Sequence, residues 1–185
     1  AKNYDEGFTS NGKVFVFYGA ASTESNIGGF ADIPDWTAIG EEGGAQFGAS
    51  VDFAGFVNND IYPDIVIGAP YAKNAQGEQA GCVYLFHGNS SDISLDLTPA
   101  WKQCGDIDDD LLEEEIIKPQ FGASVAGLGD VNGDGYADVL VGSPYAENDQ
   151  DIVTGCVYLY LGTDTGLQEN PIWKQCGEQA SGKFG

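Results

Sequence analysis

Phe121 to Tyr145 reads FGASVAGLGDVNGDGYADVLVGSPY, and Phe47 to Tyr71 reads FGASVDFAGFVNNDIYPDIVIGAPY. The two stretches align without a gap, so one unit is present twice. Further elements follow each copy in the same order. Gly81-Cys82-Val83-Tyr84-Leu85-Phe86 corresponds to Gly155-Cys156-Val157-Tyr158-Leu159-Tyr160, and Trp101-Lys102-Gln103-Cys104-Gly105 corresponds to Trp173-Lys174-Gln175-Cys176-Gly177. A partial copy precedes them: Ala1-Lys2-Asn3 matches Ala72-Lys73-Asn74, Gly12 to Phe17 matches the GCVYLF segment, and Trp36-Thr37-Ala38-Ile39-Gly40 matches WKQCG. Phe184-Gly185 repeats the opening of the unit.

Each unit reads as four short strands: FGASV, then DIVIG or DVLVG, then GCVYL, then the segment beginning at Trp, with Gly- and Asp-rich turns between. Four antiparallel strands per repeat describe a propeller blade, and a sandwich or solenoid does not explain the return of the same order with the same glycines. The fold expected is all-β, made of β-propeller blades. Residues 1–46 hold the last two strands of a blade, 47–120 and 121–183 are complete blades, and 184–185 begin another.

FG at 47–48 and 121–122, Gly68-Ala69-Pro70 with its variant Gly142-Ser143-Pro144, and the DxNxDGxxD loop between them resemble the FG-GAP repeat of integrin α-chain propellers. The resemblance covers essentially the whole chain. It implies a calcium-stabilised, non-catalytic adhesion, scaffold or assembly module, secreted or on the extracellular face of the cell surface, whose loops bind protein or glycan. A glycan-binding lectin and an accessory domain of a secreted hydrolase are the alternatives. Because a ring needs at least about four blades, the chain is expected to be a fragment, or a protomer completed by other copies.

Asp130-Val131-Asn132-Gly133-Asp134-Gly135-Tyr136-Ala137-Asp138 sets side-chain oxygens at positions 1, 3, 5 and 9 of one loop. Calcium takes six to eight oxygens, and alternate residues of a tight loop can converge on one ion. The expected ligands are Asp130, Asn132, Asp134, the carbonyl of Tyr136, and Asp138; an ion-free Asp/Asn/Gly turn is the alternative. The loop starts like an EF-hand, but Val141 stands where the twelfth-position acid belongs. In the earlier copy Phe56 replaces the first ligand and Ile61 the turn glycine, leaving Asn58, Asp60 and Asp64 as donors of a weaker site, with Pro63 able to hold the turn.

Cys82 and Cys104 occupy two positions of one unit, Cys156 and Cys176 the same two of the next, and the partial copy has Lys13 and Ile39 there. Joint presence or absence is expected of disulfides within each blade; no CxxC or nearby histidine supports zinc. Trp36, Trp101 and Trp173, like Tyr71 and Tyr145, recur in register and are assigned to packing. His87 is the one histidine, so no Ser/His/Asp or Cys/His constellation can be built.

The formal charge of −22, from 29 acids against 7 bases, repels polyanions and excludes nucleic acid as a partner. No apolar run reaches the roughly 18 residues of a membrane span. Asn89-Ser90-Ser91 is a glycosylation sequon. The acidic run Asp106 to Glu115 is read as a solvated connection, or alternatively as a second cation site or a docking surface for a basic partner, with Asp106, Asp108 and Asp110 at alternate spacing.

Overall fold

The computed structural model describes residues 11–19, 33–89, 94–107 and 118–185. The matched segment Ala1-Lys2-Asn3 and the acidic residues Asp108 to Glu115 lie outside them. The strands are β1 (Lys13–Val16), β2 (Trp36–Ile39), β3 (Ser50–Gly55), β4 (Asp64–Ala69), β5 (Cys82–Phe86), β6 (Gly88–Asn89) and β7 (Ser94–Leu95). They continue with β8 (Trp101–Cys104), β9 (Ser124–Gly129), β10 (Asp138–Ser143), β11 (Cys156–Tyr160), β12 (Gly162–Thr163), β13 (Gly166–Leu167) and β14 (Trp173–Cys176).

Two four-stranded antiparallel sheets, β3-β4-β5-β8 and β9-β10-β11-β14, are propeller blades, and β1-β2 is a two-stranded antiparallel sheet among the described residues. Registers repeat between copies: Cys82 faces Cys104 and Leu85 faces Trp101, as Cys156 faces Cys176 and Leu159 faces Trp173. Two features differ from the sequence reading. The first strand of each blade begins at Ser50 or Ser124, not at Phe47 or Phe121. The FG dipeptide lies in a turn because Gly48 and Gly122 hold φ of 82° and 81°, outside extended geometry, and because its backbone bonds elsewhere. A small hairpin, β6-β7 or β12-β13, also sits between the third and fourth strands.

The blades stack through both faces of β4, which is buried throughout. Ile65, Ile67 and Ala69 pack with Val14, Trp36, Phe47, Tyr84 and Phe86 on one side. Val66, with Val83 and Leu85 of β5, packs on the other against Phe121, Val139, Val141 and Tyr160 of the next blade. Period-two alternation thus feeds two interfaces, so β4 is apolar at every position from Ile65 to Ala69, on both of its faces.

Trp36 and Trp101 each grip the blade that follows them. Trp36 meets Phe86 edge-on at 5.1 Å and donates its indole N–H to the Asp96 carbonyl at 3.1 Å. Trp101 repeats this with Tyr160 at 5.1 Å and the Gln168 carbonyl at 3.1 Å. Such pairs contribute about 0.5–1.5 kcal/mol beyond the area they bury. The carbonyls that accept these bonds follow β7 and β13, which is the structural use of the small hairpins.

Backbones approach so closely at the junction that side chains are excluded. A Cβ on Gly68 would lie 2.0 Å from the Gly122 carbonyl oxygen, whereas one on Gly19 meets nothing within 4 Å. Gly68→Ala is therefore expected to destabilise the chain by about 3 kcal/mol or more, while Gly19→Ala is nearly silent. Thermal melting checks this; equal midpoints for the two variants would contradict the close approach.

Candidate metal site

The 130–138 loop connects β9 to β10, and the 56–64 loop connects β3 to β4 in the preceding blade. A register shift beside Asp138, and another between Phe53 and Gly55, ends each strand pairing and releases the chain into its turn. Gly133 and Gly135 have φ of 81° and 97°, which lets the chain curl around its own side chains.

Asp130 is the hub of the curl. Its Oδ1 accepts the N–H groups of Gly133 at 2.7 Å and Asp134 at 3.1 Å, and its Oδ2 accepts that of Gly135 at 2.8 Å. Asn132 Oδ1 accepts the Asp134 N–H at 3.0 Å, Asn132 Nδ2 donates to Asp134 Oδ2 at 2.8 Å, and Asp134 Oδ1 accepts the Tyr136 N–H at 3.0 Å. Asp138, the first residue of β10, is fully buried. Its Oδ2 accepts the Val131 N–H at 2.8 Å and its Oδ1 accepts the Gly162 N–H at 3.0 Å, tying the loop to β12.

The earlier loop keeps this arrangement except for the three bonds to the first carboxylate. Asn58 Nδ2 donates to Asp60 Oδ2 at 2.8 Å, and Asp60 Oδ1 accepts the Tyr62 N–H at 2.7 Å. Asp64, fully buried, accepts Val57 N–H at 2.8 Å and Gly88 N–H at 2.9 Å. Phe56 has no carboxylate to gather a turn around, and its ring is exposed. The two loops are also joined to each other: Ala137 N–H donates to the Phe56 carbonyl at 3.1 Å, and Thr163 N–H to the Val57 carbonyl at 3.1 Å. These links are invisible in the sequence except for Gly88 and Gly162, which recur at one position just past the third strand. A Cβ on either would collide with the neighbouring loop, 2.6 Å from the Pro63 carbonyl oxygen or 2.4 Å from that of Ala137.

In this arrangement the carboxylates serve their own backbone, and among the described residues no three Asp, Glu, His or Cys side chains converge on a common point. The donor set of the 130–138 loop nevertheless suits a hard cation: three carboxylates, an amide oxygen and a backbone carbonyl, all oxygen and without sulfur or imidazole. Asp130, Asn132 and Asp134 are exposed to solvent and accessible to an ion.

The remaining sequence candidates are placed as follows. Disulfides join Cys82 to Cys104 and Cys156 to Cys176, each across facing strands of one blade. Asn89, in β6, is partly buried and donates its side-chain N–H to Asp96 Oδ1 at 2.7 Å; Ser90 and Ser91 of the sequon lie outside the described residues. His87 Nε2 is buried, 3.1 Å from where a Cβ on Gly166 would stand, so the imidazole packs against the next blade.

An FG-GAP repeat family model matches residues 121–155. Integrin alpha-3 of Cricetulus griseus is 33% identical over 132 residues, 71% of this chain and 11% of that protein. Integrin alpha-7 of Mus musculus is 34% identical over 139 residues, 75% of this chain and 10% of that protein. Integrin alpha-PS3 of Drosophila melanogaster is 30% identical over 148 residues, 79% of this chain and 12% of that protein. The blades are thus FG-GAP propeller blades of the integrin α type, although the chain spans only about a tenth of the length of these relatives. With two disulfides formed, that likeness places it in the extracellular space or at the cell surface.

Asp138→Asn turns an amide N–H₂ toward a backbone N–H and should cost about 2–3 kcal/mol. Asp134→Asn, on the open side of the loop, should cost about 1 kcal/mol or less without calcium. Urea midpoints in chelator measure both, and a silent Asp138→Asn would remove its role as the pin between loop and β12.

The two loops also differ in acid. The N–H of Gly135, then those of Gly133 and Asp134, hold the Asp130 carboxyl below the usual aspartate range, whereas burial pushes that of Asp64 up. A depressed carboxyl contributes stability above its unfolded pKa of about 3.9 and loses it as pH falls through the lower folded value. The raised one has the opposite sign: its contribution is present below the unfolded pKa and lost as pH rises through the folded one. Hydrogen exchange in chelator should show Gly133 and Gly135 amides still protected near pH 4 and losing protection only in stronger acid. Loss of that protection above pH ~5 would contradict the nest around Asp130.

Proposed function

We propose that this chain is a calcium-stabilised part of an extracellular propeller that acts as a non-catalytic adhesion or assembly module. The observation that supports this best is the oxygen-only 130–138 loop, exposed at its mouth and pinned at its base, in a chain about one-third identical to integrin α-chains. Asp130, Asn132, Asp134, the Tyr136 carbonyl and Asp138 would hold the ion. Bound there, it would neutralise neighbouring carboxylates and stiffen the β9–β10 connection, with no reaction implied. Asn58, Asp60 and Asp64 form at most a weaker site, since their loop lacks the first carboxylate. In this reading residues 47–120 and 121–183 are the repeating units, flanked by parts of others at 1–46 and 184–185. Their surfaces meet further blades, of the same chain or of other copies, and an extracellular protein or glycan.

The lectin reading has one feature in its favour. A cleft of about 620 Å³ lies between the blades, lined among others by Asp106, Tyr145, Asp149, Asp151, Tyr158 and Lys174. Tyrosine faces and acids are groups that stack on and hydrogen-bond to sugars, and a glycan array on the chain distinguishes this reading from protein adhesion.

Calcium at a hundred times its Kd stabilises a folded site by about 2.7 kcal/mol, which for a chain of this size raises Tm by roughly 5–10 °C. Asp134→Ala should abolish most of that rise and Asp60→Ala should leave most of it. Identical melting curves in calcium and in chelator would exclude the site.

A further inference from the structure

The chain contains two Asn-Gly pairs, Asn11–Gly12 and Asn132–Gly133, and the fold treats them in opposite ways. Asparagine followed by glycine is the pair most prone to lose its side-chain amide, because no Cβ on the following residue shields the backbone nitrogen that attacks it. We propose that Asn132–Gly133 is a self-modifying site, at which asparagine converts to a carboxylate through a cyclic imide, and that Asn11–Gly12 is protected by the blade junction.

At Asn132 the groups the reaction uses lie on an exposed loop with open space around them. The nucleophile is the Gly133 nitrogen, whose N–H donates to Asp130 Oδ1 at 2.7 Å. The electrophile is Asn132 Cγ. Its Oδ1 accepts the Asp134 N–H at 3.0 Å, a bond that polarises the amide and supports the oxyanion formed on attack. Nothing lies within 4 Å of a Cβ position on Gly133, and both residues are exposed, so the backbone has room to turn and water has access.

The bonds balance without any oxidant or cofactor. Gly133 N forms a bond to Asn132 Cγ, and the Cγ–Nδ2 bond breaks. Gly133 N loses its proton to solvent, and the departing nitrogen takes one from solvent and leaves as ammonia. Water then opens the five-membered imide at either carbonyl, leaving aspartate at 132 or its β-linked isomer.

Asn11 has the same sequence and none of this freedom. Both side-chain amides are hydrogen-bonded, Asn132 Nδ2 to Asp134 Oδ2 at 2.8 Å and Asn11 Nδ2 to the Gly40 carbonyl at 3.1 Å, so the difference lies in the main chain, where the Asn11 carbonyl accepts the Phe47 N–H at 3.1 Å. The Gly12 carbonyl accepts the Gly40 N–H at 3.0 Å, and a Cβ position on Gly12 lies 2.1 Å from the Phe47 carbonyl oxygen. The backbone rotation that closes an imide would have to break this junction. At 132, by contrast, the product adds a carboxylate to the third position of the loop, or displaces it by an extra backbone methylene. The charge of the loop then depends on the age of the molecule; only this consequence rests on the calcium reading.

The intact chain is incubated at neutral pH in chelator, so that ion binding plays no part, and sampled by peptide mapping with mass spectrometry. A parallel sample is incubated in denaturant. In the folded sample the peptide containing Asn132 should gain the mass of an NH₂-to-OH exchange and become a substrate for isoaspartate methylation, while the Asn11 peptide stays unchanged. In denaturant both should convert. Gly133→Ala should slow the reaction at 132 several-fold. An unmodified Asn132 in folded chain, when Asn11 converts in denaturant over the same time, overturns the proposal. So do equal rates at both pairs in the folded sample.

Discussion

The structure hangs on a backbone contact that leaves no room for a side chain. The N–H of Phe47 donates to the Asn11 carbonyl at 3.1 Å, that of Phe121 to Ala80 at 3.0 Å, and that of Phe184 to Thr154 at 3.0 Å. In each case the glycine after the acceptor, Gly12, Gly81 or Gly155, would drive a Cβ to within 2.1–2.3 Å of the phenylalanine carbonyl oxygen. The same three glycines offer their carbonyls to Gly40, Gly105 and Gly177. One small residue per repeat therefore closes its own blade edge and receives the start of the next blade, and this is why glycine returns at these positions.

Aromatic packing follows from that clasp. Once the Phe47 backbone is fixed, its ring falls edge-on against Tyr84 at 5.3 Å and Phe86 at 6.4 Å; Phe121 repeats the geometry with Tyr158 at 5.4 Å and Tyr160 at 6.4 Å. Trp36 from β2 and Trp101 from β8 complete the two clusters, each from the sheet that precedes. The disulfides close each sheet at the same end, directly across facing strands. Closing loops of about 20 residues restricts the unfolded chain by on the order of 3 kcal/mol each in the loop-entropy account. A stack of thin sheets is held in this way by recurrent local devices more than by one large core.

Much of this was legible because a repeat compares a sequence with itself. Strand order, the apolar run of β4 and the recurrence of Trp36, Trp101 and Trp173 need only the alignment of copies. The strand starts were misjudged because FG looks like the head of an apolar strand, and only the left-handed φ of Gly48 and Gly122 shows that it is a turn. Hairpins β6-β7 and β12-β13 escaped because two-residue strands carry no periodicity. Of the candidate site, the oxygen donors could be read directly, but not which N–H groups they serve. The bonds from Ala137 to Phe56 and from Thr163 to Val57 are made by main chain, which any residue supplies.

The two loops divide one motif into a buried part and an exposed part. Both copies keep the ninth-position acid, Asp64 or Asp138, and both bury it completely between a loop N–H and the N–H of Gly88 or Gly162. A buried carboxylate with two charge-assisted bonds is costly to leave and costly to replace, whether or not an ion is present. The first and sixth positions are different. Asp130 and Gly135 become Phe56 and Ile61, and the earlier loop still closes through Asn58, Asp60 and Asp64. Those positions lie on solvent, where nothing in the blade depends on them except the curl around Asp130. The motif therefore consists of a hairpin pin that the propeller requires and an exposed oxygen cup that it does not, which is why one copy can lose the cup and remain a blade.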